Sequence, residues 1–333
     1  MQKVKWGIIS TAKIGLDRVI GSMQQGELCD IQAIASRDLE KAKRAAGRLG
    51  IPKAYGSYEE LLADPEIEAV YNPLPNHLHV PVSIQAVEAG KHVLCEKPLS
   101  MNAAEAEELI AARDRTGVLI QEAFMVRWHP QWLRVREIVR SGEIGELRGI
   151  QGLFSYYNVD PTNVRNLADI GGGGMMDIGV YPTVVSRYLF DDEPARVVAL
   201  LDRDPKFKTD RLGSVIYDFP AGQASFLYST QLVSYQRMQI CGTKGRIEVE
   251  IPFNPPDDKP CRIFIDDGKV LGGLEARIEF LPICNQYALQ GDGFSRHIRT
   301  KEPLEFPLED ALAQMKIVDA VFRSEKSRNW ESV

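Results

Sequence analysis

The first 125 residues alternate short apolar runs with longer segments whose apolar positions recur at helical spacing. This alternation is typical of a parallel sheet with crossover helices, so this half of the chain predicts a doubly wound α/β domain. Two helix starts are indicated by the spacing of a capping box, Ser57 with Glu60 and Asn102 with Glu105. The strands are predicted at residues 4–9, 31–35, 69–71, 92–95 and 118–122.

The pattern changes after residue 125. From residue 147 to about residue 264, β-rich runs are separated by Gly, Pro and Asp turns, which indicates an antiparallel sheet. Near the end of the chain, apolar side chains from Leu308 to Phe322 recur at helical spacing. They predict a terminal helix, over about residues 308–326, that packs back on one of the domains. We therefore divide the chain into an α/β domain, residues 1–124, and an α+β domain, residues 125–333.

Composition limits the classes of protein to which the chain can belong. Its 333 residues exceed what one hydrophobic core usually serves, which agrees with two domains. A formal net charge of −6 without a basic block argues against nucleic acid as a partner. No apolar run approaches the roughly 18 residues that span a bilayer, and the start, MQKVKWGIIS, lacks the apolar region of a signal peptide. We expect a cytoplasmic protein without a membrane partner.

The five cysteines are scattered along the chain, and none of them lies at metal-like spacing from a histidine. Neither a disulfide framework nor a metal site is therefore predicted.

The first strand leads into GIISTAKIG, residues 7–15, where a dinucleotide-binding domain carries G-x-G-x-x-G. The three glycine positions hold Ser10, Ala12 and Gly15, so the fingerprint is degenerate and by itself fits an ordinary strand-to-helix turn equally well. Small residues at positions 10 and 12 still let the backbone approach a pyrophosphate at a helix N-terminus. The residues of this turn predicted to bind the cofactor are Ser10, Thr11, Ala12, Lys13 and Ile14.

The second strand ends in Ser36 and Arg37, where an NAD-preferring site places an acid for the ribose 2′-hydroxyl. A carboxylate there repels a 2′-phosphate, whereas a hydroxyl and a guanidinium bind one, so this end favours NADP over NAD. Lys41 is included in the same predicted site. The alternative is that Arg37 is a solvated surface charge and that Asp38 is only a helix cap.

Four segments carry a family resemblance: NPLPNHLH (72–79), AGKHVLCEKP (89–98), EAFMVRWHP (122–130) and GGGGMMDIGVYP (171–182). Together they closely resemble the Gfo/Idh/MocA oxidoreductases, and the similarity covers essentially the whole chain. The resemblance implies an N-terminal Rossmann domain and a C-terminal domain on a large open, mostly antiparallel sheet. It also implies a homodimer or homotetramer formed through the open sheet face, and a small carbohydrate-like substrate.

The resemblance places the catalytic residues in two of these motifs. In the family, the lysine of E-K-P, here Lys97, lies at the nicotinamide and the substrate's reacting oxygen, and Glu96 helps to orient it. Asp177 is expected to hold the substrate hydroxyl or Lys97. Many members carry a histidine four residues after this aspartate, but this chain has Tyr181. A tyrosine there resembles the branch with glucose–fructose oxidoreductase, bacterial xylose dehydrogenases, dimeric dihydrodiol dehydrogenase and nucleotide-sugar ketoreductases.

Tyr181 needs a lowered pKa to act as an acid or base, because a free phenol titrates at about 10. A cation a few ångströms away lowers the pKa by favouring the phenolate, and Lys97 is the expected cation. Which of the two residues carries the proton is left open, since coupled groups titrate as a pair.

The resemblance assigns further residues, each of which has a simpler alternative. Arg165 matches a phosphate-contacting position but is equally compatible with a surface charge. His77 and His79 also fit polar residues at a helix start, Trp128 fits packing, and residues 171–174 fit a flexible loop. The remaining predicted cofactor contacts are Pro73, Leu74, Asn76, His79, Glu96, Lys97 and Arg165. The predicted substrate contacts are Lys97, Arg127, Asp177, Tyr181 and Tyr287.

These observations predict an NADP-dependent oxidoreductase that transfers a hydride between nicotinamide and a hydroxyl or carbonyl carbon of a sugar or related polyol. A trans-dihydrodiol dehydrogenase and a nucleotide-sugar ketoreductase, which use the same residues, are the alternatives among enzymes. The family also contains NADP-binding regulators that have lost the chemistry. The presence of Glu96, Lys97, Asp177 and Tyr181 argues against a regulator, because a sensor needs no acid–base residues.

Overall fold

The computed structural model describes all residues from Met1 to Val333 and forms two compact units. The first unit contains Met1–Trp128 and Asn285–Leu312, and the second contains His129–Cys284 and Ala313–Val333. One unit is built on a sheet of six strands and the other on a sheet of nine strands. The predicted combination of a Rossmann-like sheet and a second, mostly antiparallel sheet is confirmed.

The first sheet is entirely parallel. Its strands are β1 (Val4–Ile9), β2 (Cys29–Ala35), β3 (Lys53–Tyr55), β4 (Ala69–Asn72), β5 (His92–Glu96) and β6 (Ile120–Ala123). Their order across the sheet is β3-β2-β1-β4-β5-β6. Successive strands are therefore added on one side of β1 up to β3 and on its other side from β4, which places a switch point between β1 and β4. Open α/β sheets bind ligands at the carboxyl ends of the strands beside such a switch point. The sequence pattern does not predict β3, whose three residues are only partly buried.

The second sheet has the order β14-β13-β12-β11-β7-β10-β9-β8-β15. All neighbouring pairs are antiparallel except β7 and β10, which are parallel. Its strands are β7 (Leu147–Tyr157), β8 (Arg196–Arg203), β9 (Asp210–Phe219), β10 (Gly222–Ser229), β11 (Gln231–Gly242), β12 (Arg246–Val249), β13 (Cys261–Asp266), β14 (Arg277–Leu281) and β15 (Glu331–Ser332). Along β9, buried residues such as Val215 and Tyr217 alternate with more exposed ones, as expected for a sheet with one covered face.

The chain also forms nine α-helices, and none of them has the length and apolar character needed to cross a bilayer. In chain order they are α1 (Ile20–Gln25), α2 (Leu39–Leu49), α3 (Tyr58–Ala63), α4 (His79–Glu88), α5 (Ala103–Thr116), α6 (Pro130–Ser141), α7 (Val180–Phe190), α8 (Gln286–Thr300) and α9 (Leu308–Ser327). Two of them are preceded by a π-helical turn, Gly15–Val19 before α1 and Met175–Gly179 before α7. Shorter 3₁₀ turns are formed by Asn76–Leu78, Met125–Trp128, Val164–Asn166 and Ala168–Ile170.

The predicted helix starts are confirmed by their side-chain hydrogen bonds. The Ser57 hydroxyl accepts from the backbone N–H of Glu60 at 3.1 Å, and the Asn102 amide oxygen accepts from that of Glu105 at 3.0 Å. These bonds satisfy donors that the first helical turn leaves without intrahelical partners.

Helix α8 belongs to the first unit, although the division by sequence pattern at residue 124 places it in the second domain. The indole N–H of Trp6 donates to the Ser295 hydroxyl at 3.1 Å, and the ring of Trp6 lies 5.8 Å from that of Phe294. Arg299 forms an ion pair with Glu68 at 2.6 Å. Helical periodicity identifies such a segment, but it does not say which sheet the apolar face covers, because these partners are far apart in the chain.

Candidate active site

The turn after β1 has the backbone conformation that a dinucleotide fingerprint requires. Ser10 has φ of 78°, in the left-handed region that glycine usually occupies. Its hydroxyl accepts from the backbone N–H of Ala12 at 3.2 Å, which supports this conformation. A carbon added at Gly15 would lie 3.7 Å from the ring of Tyr71, so the helix starts close beside the end of β4. The residues present therefore fit a dinucleotide, whose pyrophosphate a helix start of this kind binds.

The end of β2 presents cations rather than an acid. Ser36 is buried, whereas Arg37 and Lys41 are exposed. Burial raises the pKa of the Tyr58 phenol, and the positive charge of the nearby Arg37 opposes this rise. The carboxylate of Asp38 accepts from the backbone N–H groups of Glu40 and Lys41, so this acid caps α2, as the alternative interpretation held.

Glu96, at the end of β5, is held by a tyrosine that sequence reasoning missed. The hydroxyl of Tyr71 on β4 donates to Glu96 Oε1 at 2.5 Å. Tyr71 is fully buried, and burial, together with the Glu96 charge, holds its pKa well above the usual value. Tyr287 belongs to the same group, since burial and the Glu96 charge also raise its pKa, while Arg18 opposes this rise. The only signal for Tyr71 was its place one residue before the end of a strand beside β5.

Lys97 is half-buried and follows directly after β5. The peptide bond that joins it to Pro98 is cis. The turn continues with the backbone N–H of Leu99, which donates to Glu122 Oε1 on β6 at 2.7 Å. Lys97 thus belongs to a turn of residues 97–99, here called the Lys97 turn, which the neighbouring strand β6 holds in place.

His79 is buried, and its ring connects two loops. Its Nδ1 lies 2.7 Å from the carbonyl oxygen of Pro98, and its Nε2 lies 2.6 Å from that of Leu74. Burial lowers the pKa of this imidazole to about 4, so the ring is neutral and donates a hydrogen bond to only one of the two carbonyl oxygens. The side chain therefore fixes the Lys97 turn against the loop after β4. Its contact with the cofactor stays a prediction. The neighbouring Asn76 is half-buried in the 3₁₀ turn that precedes α4.

Arg127 does not have the surroundings of a substrate contact. Its side chain is buried, pairs with Asp310 at 2.5 Å and stacks on the ring of Phe306 at 4.4 Å. Trp128 meets the same ring edge-on at 6.3 Å, so the packing interpretation of this residue is confirmed. The structure thus gives Arg127 a carboxylate partner inside the first unit, and its contact with the substrate stays a prediction.

Asp177, in the π-helical turn before α7, accepts two hydrogen bonds on one oxygen. The hydroxyl of Tyr156 donates to Oδ2 at 2.6 Å, and Nε of Arg165 lies 2.8 Å from the same atom. Burial and the Asp177 charge raise the pKa of Tyr156, so this phenol stays protonated and remains a donor. The nearby Asp177 carboxylate also raises the pKa of Arg165. Arg165, which was predicted to contact the cofactor, thus has a carboxylate partner. Tyr156 is a site residue that the sequence did not indicate.

Tyr181 is buried among aromatic rings in the first turn of α7. Its ring meets that of Phe154 edge-on at 5.7 Å and lies 5.4 Å from the ring of Phe253. Asp177 and Tyr181 occupy one continuous helical segment.

The glycines before Asp177 are closely packed. A carbon added at Gly172 would lie 2.6 Å from the carbonyl oxygen of Leu167 and 2.7 Å from that of Arg165. Gly173 has φ of 125°, and its N–H donates to the Arg165 carbonyl oxygen at 2.9 Å. Glycine is required here because a larger residue would displace the backbone, which contradicts the flexible-loop alternative.

Comparison with known proteins agrees with this geometry. Residues 4–124 match the model of the Gfo/Idh/MocA oxidoreductase family with an NAD-binding Rossmann fold, and residues 132–248 match that of the Gfo/Idh/MocA C-terminal domain. The chain is 51% identical to the uncharacterized oxidoreductase ORF334 of Rhizobium meliloti over the full length of both proteins. It is 36% identical to D-xylose 1-dehydrogenase (NADP(+)) 2 of Haloferax volcanii over 96% of each chain.

Among solved structures, KijD10, a 3-ketoreductase from Actinomadura kijaniata in complex with NADP and TDP-benzene, superimposes with a TM-score of 0.90. It is 30% identical to this protein, and the match covers 97% of this chain and 98% of that one. Both halves of the chain thus match one group of enzymes, in sequence and in fold. The chain therefore belongs to the Gfo/Idh/MocA family of NAD(P)-dependent oxidoreductases.

Proposed function

We propose that the protein is an NADP-dependent dehydrogenase of a sugar or related polyol, which oxidises a secondary or hemiacetal hydroxyl to a carbonyl. One C–H and one O–H bond of the substrate break: the hydride passes to NADP⁺, which becomes NADPH, and the proton passes to the protein. The observation that carries the proposal is the Lys97 turn, which lies at the carboxyl end of a parallel strand and is held there by His79 and Glu122. Ligands bind at this edge of an open α/β sheet.

We assign the cofactor to the ends of β1 and β2. NADP⁺ supplies the hydride acceptor, and the residues 10–14 turn binds its pyrophosphate at the helix start. Arg37, with Ser36 and Lys41, binds the 2′-phosphate, because Asp38, the acid next to Arg37, is occupied as a helix cap. An exposed guanidinium can pair with a phosphate through two hydrogen bonds, which a 2′-hydroxyl does not offer. This supports a preference for NADP over NAD.

We assign the proton to Tyr181 and the electrostatic assistance to Lys97. Packing against Phe154 and Phe253 fixes the ring of Tyr181, so its hydroxyl has little freedom to leave a productive position. Asp177, held by Tyr156 and Arg165, is an oriented acceptor for a substrate hydroxyl. Lys97 supplies the positive charge that stabilises an alkoxide as the proton leaves.

The aromatic surroundings of Tyr181 favour one second candidate. Phe154 and Phe253 are almost completely buried, so a ring substrate with two adjacent hydroxyls, such as a trans-dihydrodiol, would place its flat apolar face against the accessible edge of the Tyr181 ring that they support. A sugar carries hydroxyls on most of its carbons, so hydrogen bonds to the Asp177 carboxylate would contribute more to its binding. The two classes therefore differ in which side chains of the second unit they need.

We further propose that the protein is a homo-oligomer formed through the open face of the second sheet. On this face β8 exposes 78% of Leu200, and β9 exposes 39% of Ile216. Apolar side chains at neighbouring positions of an uncovered sheet are typical of an interface between subunits. All five cysteines are unpaired, which is compatible with the cytoplasmic location expected from the sequence.

The proposal is tested by following the formation of NADPH at its absorbance maximum. The purified protein is given NADP⁺ with D-xylose, D-glucose, myo-inositol, a trans-dihydrodiol or a TDP-sugar, and NAD⁺ is run beside it. We expect the largest kcat/KM with NADP⁺ and an aldose. Turnover confined to the dihydrodiol would establish the second candidate. NADP⁺ binding without turnover of any compound, in either direction of the reaction, would leave a regulator as the function.

A further inference from the structure

We propose that Asp210 and Tyr228 are positioning residues for the reaction. They hold the segment of residues 172–181, here called the tyrosine turn, and through it the side chain of Tyr181. The inference rests on the proposed function, which gives Tyr181 its role. Neither residue lies in a motif that the sequence analysis identified, and both belong to strands of the second sheet.

Asp210 caps the tyrosine turn from a neighbouring strand. It is the first residue of β9 and is almost completely buried. Its Oδ2 accepts from the backbone N–H of Met175 at 2.6 Å and from the hydroxyl of Tyr228 at 2.6 Å. Met175 begins the π-helical turn, so its N–H is one of the donors that a helix start cannot satisfy internally. A negative charge at this end of a helical segment also stabilises it.

The ring of Tyr228 is the surface on which the turn rests. This tyrosine is fully buried in β10. A carbon added at Gly174 would lie 2.6 Å from Cε2 of the ring, and one added at Gly179 would lie 3.3 Å from Cδ1. A carbon added at Gly173 would lie 2.1 Å from Oδ1 of Asp210. Three glycines of the motif therefore allow the backbone to lie directly on these two side chains.

This arrangement connects the sheet to Tyr181 by a short path. Gly179, which contacts the ring of Tyr228, precedes Tyr181 by two residues. The segment between the Met175 cap and Tyr181 is helical throughout, so displacement at either contact moves the phenol as well. Because misplacement of a reacting group by about 1 Å can slow a reaction on the order of 10²-fold, a support of this kind affects catalysis without touching substrate.

The first test needs no substrate. We would measure amide hydrogen exchange of the intact protein for the variants Tyr228→Phe and Asp210→Asn, by mass spectrometry of peptides that cover residues 172–181. The Tyr228→Phe variant keeps the ring under Gly174 and Gly179 and removes only the hydroxyl bond to Asp210. We expect exchange in the tyrosine turn to be about tenfold faster in both variants, the size of one lost buried hydrogen bond.

Tyr55→Phe is the control for loss of a hydrogen bond from a phenol to a carboxylate. The Tyr55 hydroxyl donates to Asp64 Oδ2 at 2.8 Å, and both residues belong to the first unit. We expect a loss of thermal stability, but exchange in residues 172–181 equal to that of the wild type. Equal exchange rates in Tyr228→Phe and Tyr55→Phe would overturn the assignment.

The second test asks whether the effect reaches the chemistry through Tyr181. With NADP⁺ and the compound that gives the largest kcat/KM in the screen above, we expect Tyr228→Phe to lower kcat about tenfold while KM for NADP⁺ stays within about twofold. In a Tyr181→Phe background, Tyr228→Phe should have no further effect on kcat. An equal loss in both backgrounds would show that Tyr228 acts independently of Tyr181 and would refute its positioning role. Normal kcat in Tyr181→Phe alone would instead refute the role that the proposed function gives to Tyr181, and the exchange rates would still decide whether Asp210 and Tyr228 hold the turn.

Discussion

The Lys97 turn and the tyrosine turn carry the two predicted catalytic residues, and they are held in place in different ways. Lys97 follows a parallel strand, and the residues that fix its turn, Glu122 and His79, come from the neighbouring strand and from a helix beside it. The tyrosine turn lies outside any strand and rests on Asp210 and Tyr228. The position of Lys97 follows from the topology of the sheet, whereas the position of Tyr181 depends on two side chains that are distant from it in sequence.

A carboxylate lies beside each of the two turns, and a tyrosine hydroxyl holds each of them. Glu96 and Asp177 each accept a tyrosine hydroxyl, at 2.5 Å from Tyr71 and at 2.6 Å from Tyr156. Asp177 in addition pairs with Arg165 at 2.8 Å. A charge-assisted bond to a guanidinium is stronger than a neutral hydrogen bond, so Arg165 adds to the orientation of the Asp177 carboxylate.

Tyr181→Phe should lower kcat more than any other variant, and it tests how far the chemistry depends on the tyrosine turn rather than on the Lys97 turn. Removing the hydroxyl deletes the proton carrier, and general acid–base catalysis contributes roughly 10²- to 10⁴-fold, so kcat should fall by about that factor. Oxidation by the wild type should also accelerate with rising pH, because the acceptor must be deprotonated, whereas the variant should lack this dependence. The measurement is a pH–rate profile of kcat at saturating NADP⁺. Superimposable profiles would show that Lys97 or water takes the proton. Tyr55→Phe, which removes a tyrosine hydroxyl from the first unit, is the control.

Lys97→Met should lower kcat by roughly 10²-fold, because the charge that stabilises the developing alkoxide is lost. Methionine keeps most of the length of the side chain, so the fold and the affinity for NADP⁺ should change little. Fluorescence titration of NADPH and steady-state kinetics separate the two effects. Lys43→Met, which removes an exposed lysine paired with Glu40 on α2, is the control. Near-normal kcat in Lys97→Met would assign the chemistry to the tyrosine turn alone.

Arg37→Ala should weaken NADP⁺ binding about tenfold or more and leave NAD⁺ binding nearly unchanged. The physical reason is the loss of a charge-assisted contact to the 2′-phosphate, which is worth about 1.5–3 kcal/mol. Because Arg37 is exposed to solvent, we expect an energy at the lower end of this range. Calorimetric titration with both cofactors measures the difference. Arg44→Ala, which removes another exposed arginine of α2, controls for net charge. Equal losses for both cofactors would contradict the NADP preference.

Tyr71→Phe should have the smallest effect, a loss of about 1–2 kcal/mol in the free energy of unfolding as one buried hydrogen bond to a carboxylate disappears. Tyr55→Phe removes a comparable bond, from the Tyr55 hydroxyl to Asp64 at 2.8 Å, away from the Lys97 turn. Urea denaturation compares the two variants. We expect similar losses of stability, with KM for the substrate altered only in Tyr71→Phe, since only Tyr71 orients the residue next to Lys97. An unchanged KM in both variants would limit Tyr71 to a structural role.

The sequence by itself determined the fold class, the family and the place of the catalytic motifs. Alternating apolar runs identified the parallel strands, because their periodicity is local, and the same holds for the helix starts at Ser57 and Asn102. The E-K-P and glycine-rich motifs are also contiguous, so they could be recognised before any contact was known. The conformation of Ser10 could be expected as well, since it occupies a fingerprint position that demands a positive φ.

Only the tertiary structure decided which side chains surround these motifs. Tyr71, Tyr156, Asp210 and Tyr228 have no distinguishing pattern in the chain, because each is simply one residue of a strand. Arg127 and His79 were assigned to ligands by their motifs, and only the structure shows their surroundings. Arg127 is buried and pairs with Asp310, and the buried ring of His79 lies within hydrogen-bond distance of two backbone carbonyl oxygens. Helix α8 likewise joins the first unit through partners that are distant in the chain. Hydrophobic periodicity is a property of neighbouring residues, whereas buried polar groups take their partners from whatever the folded chain brings within hydrogen-bond distance.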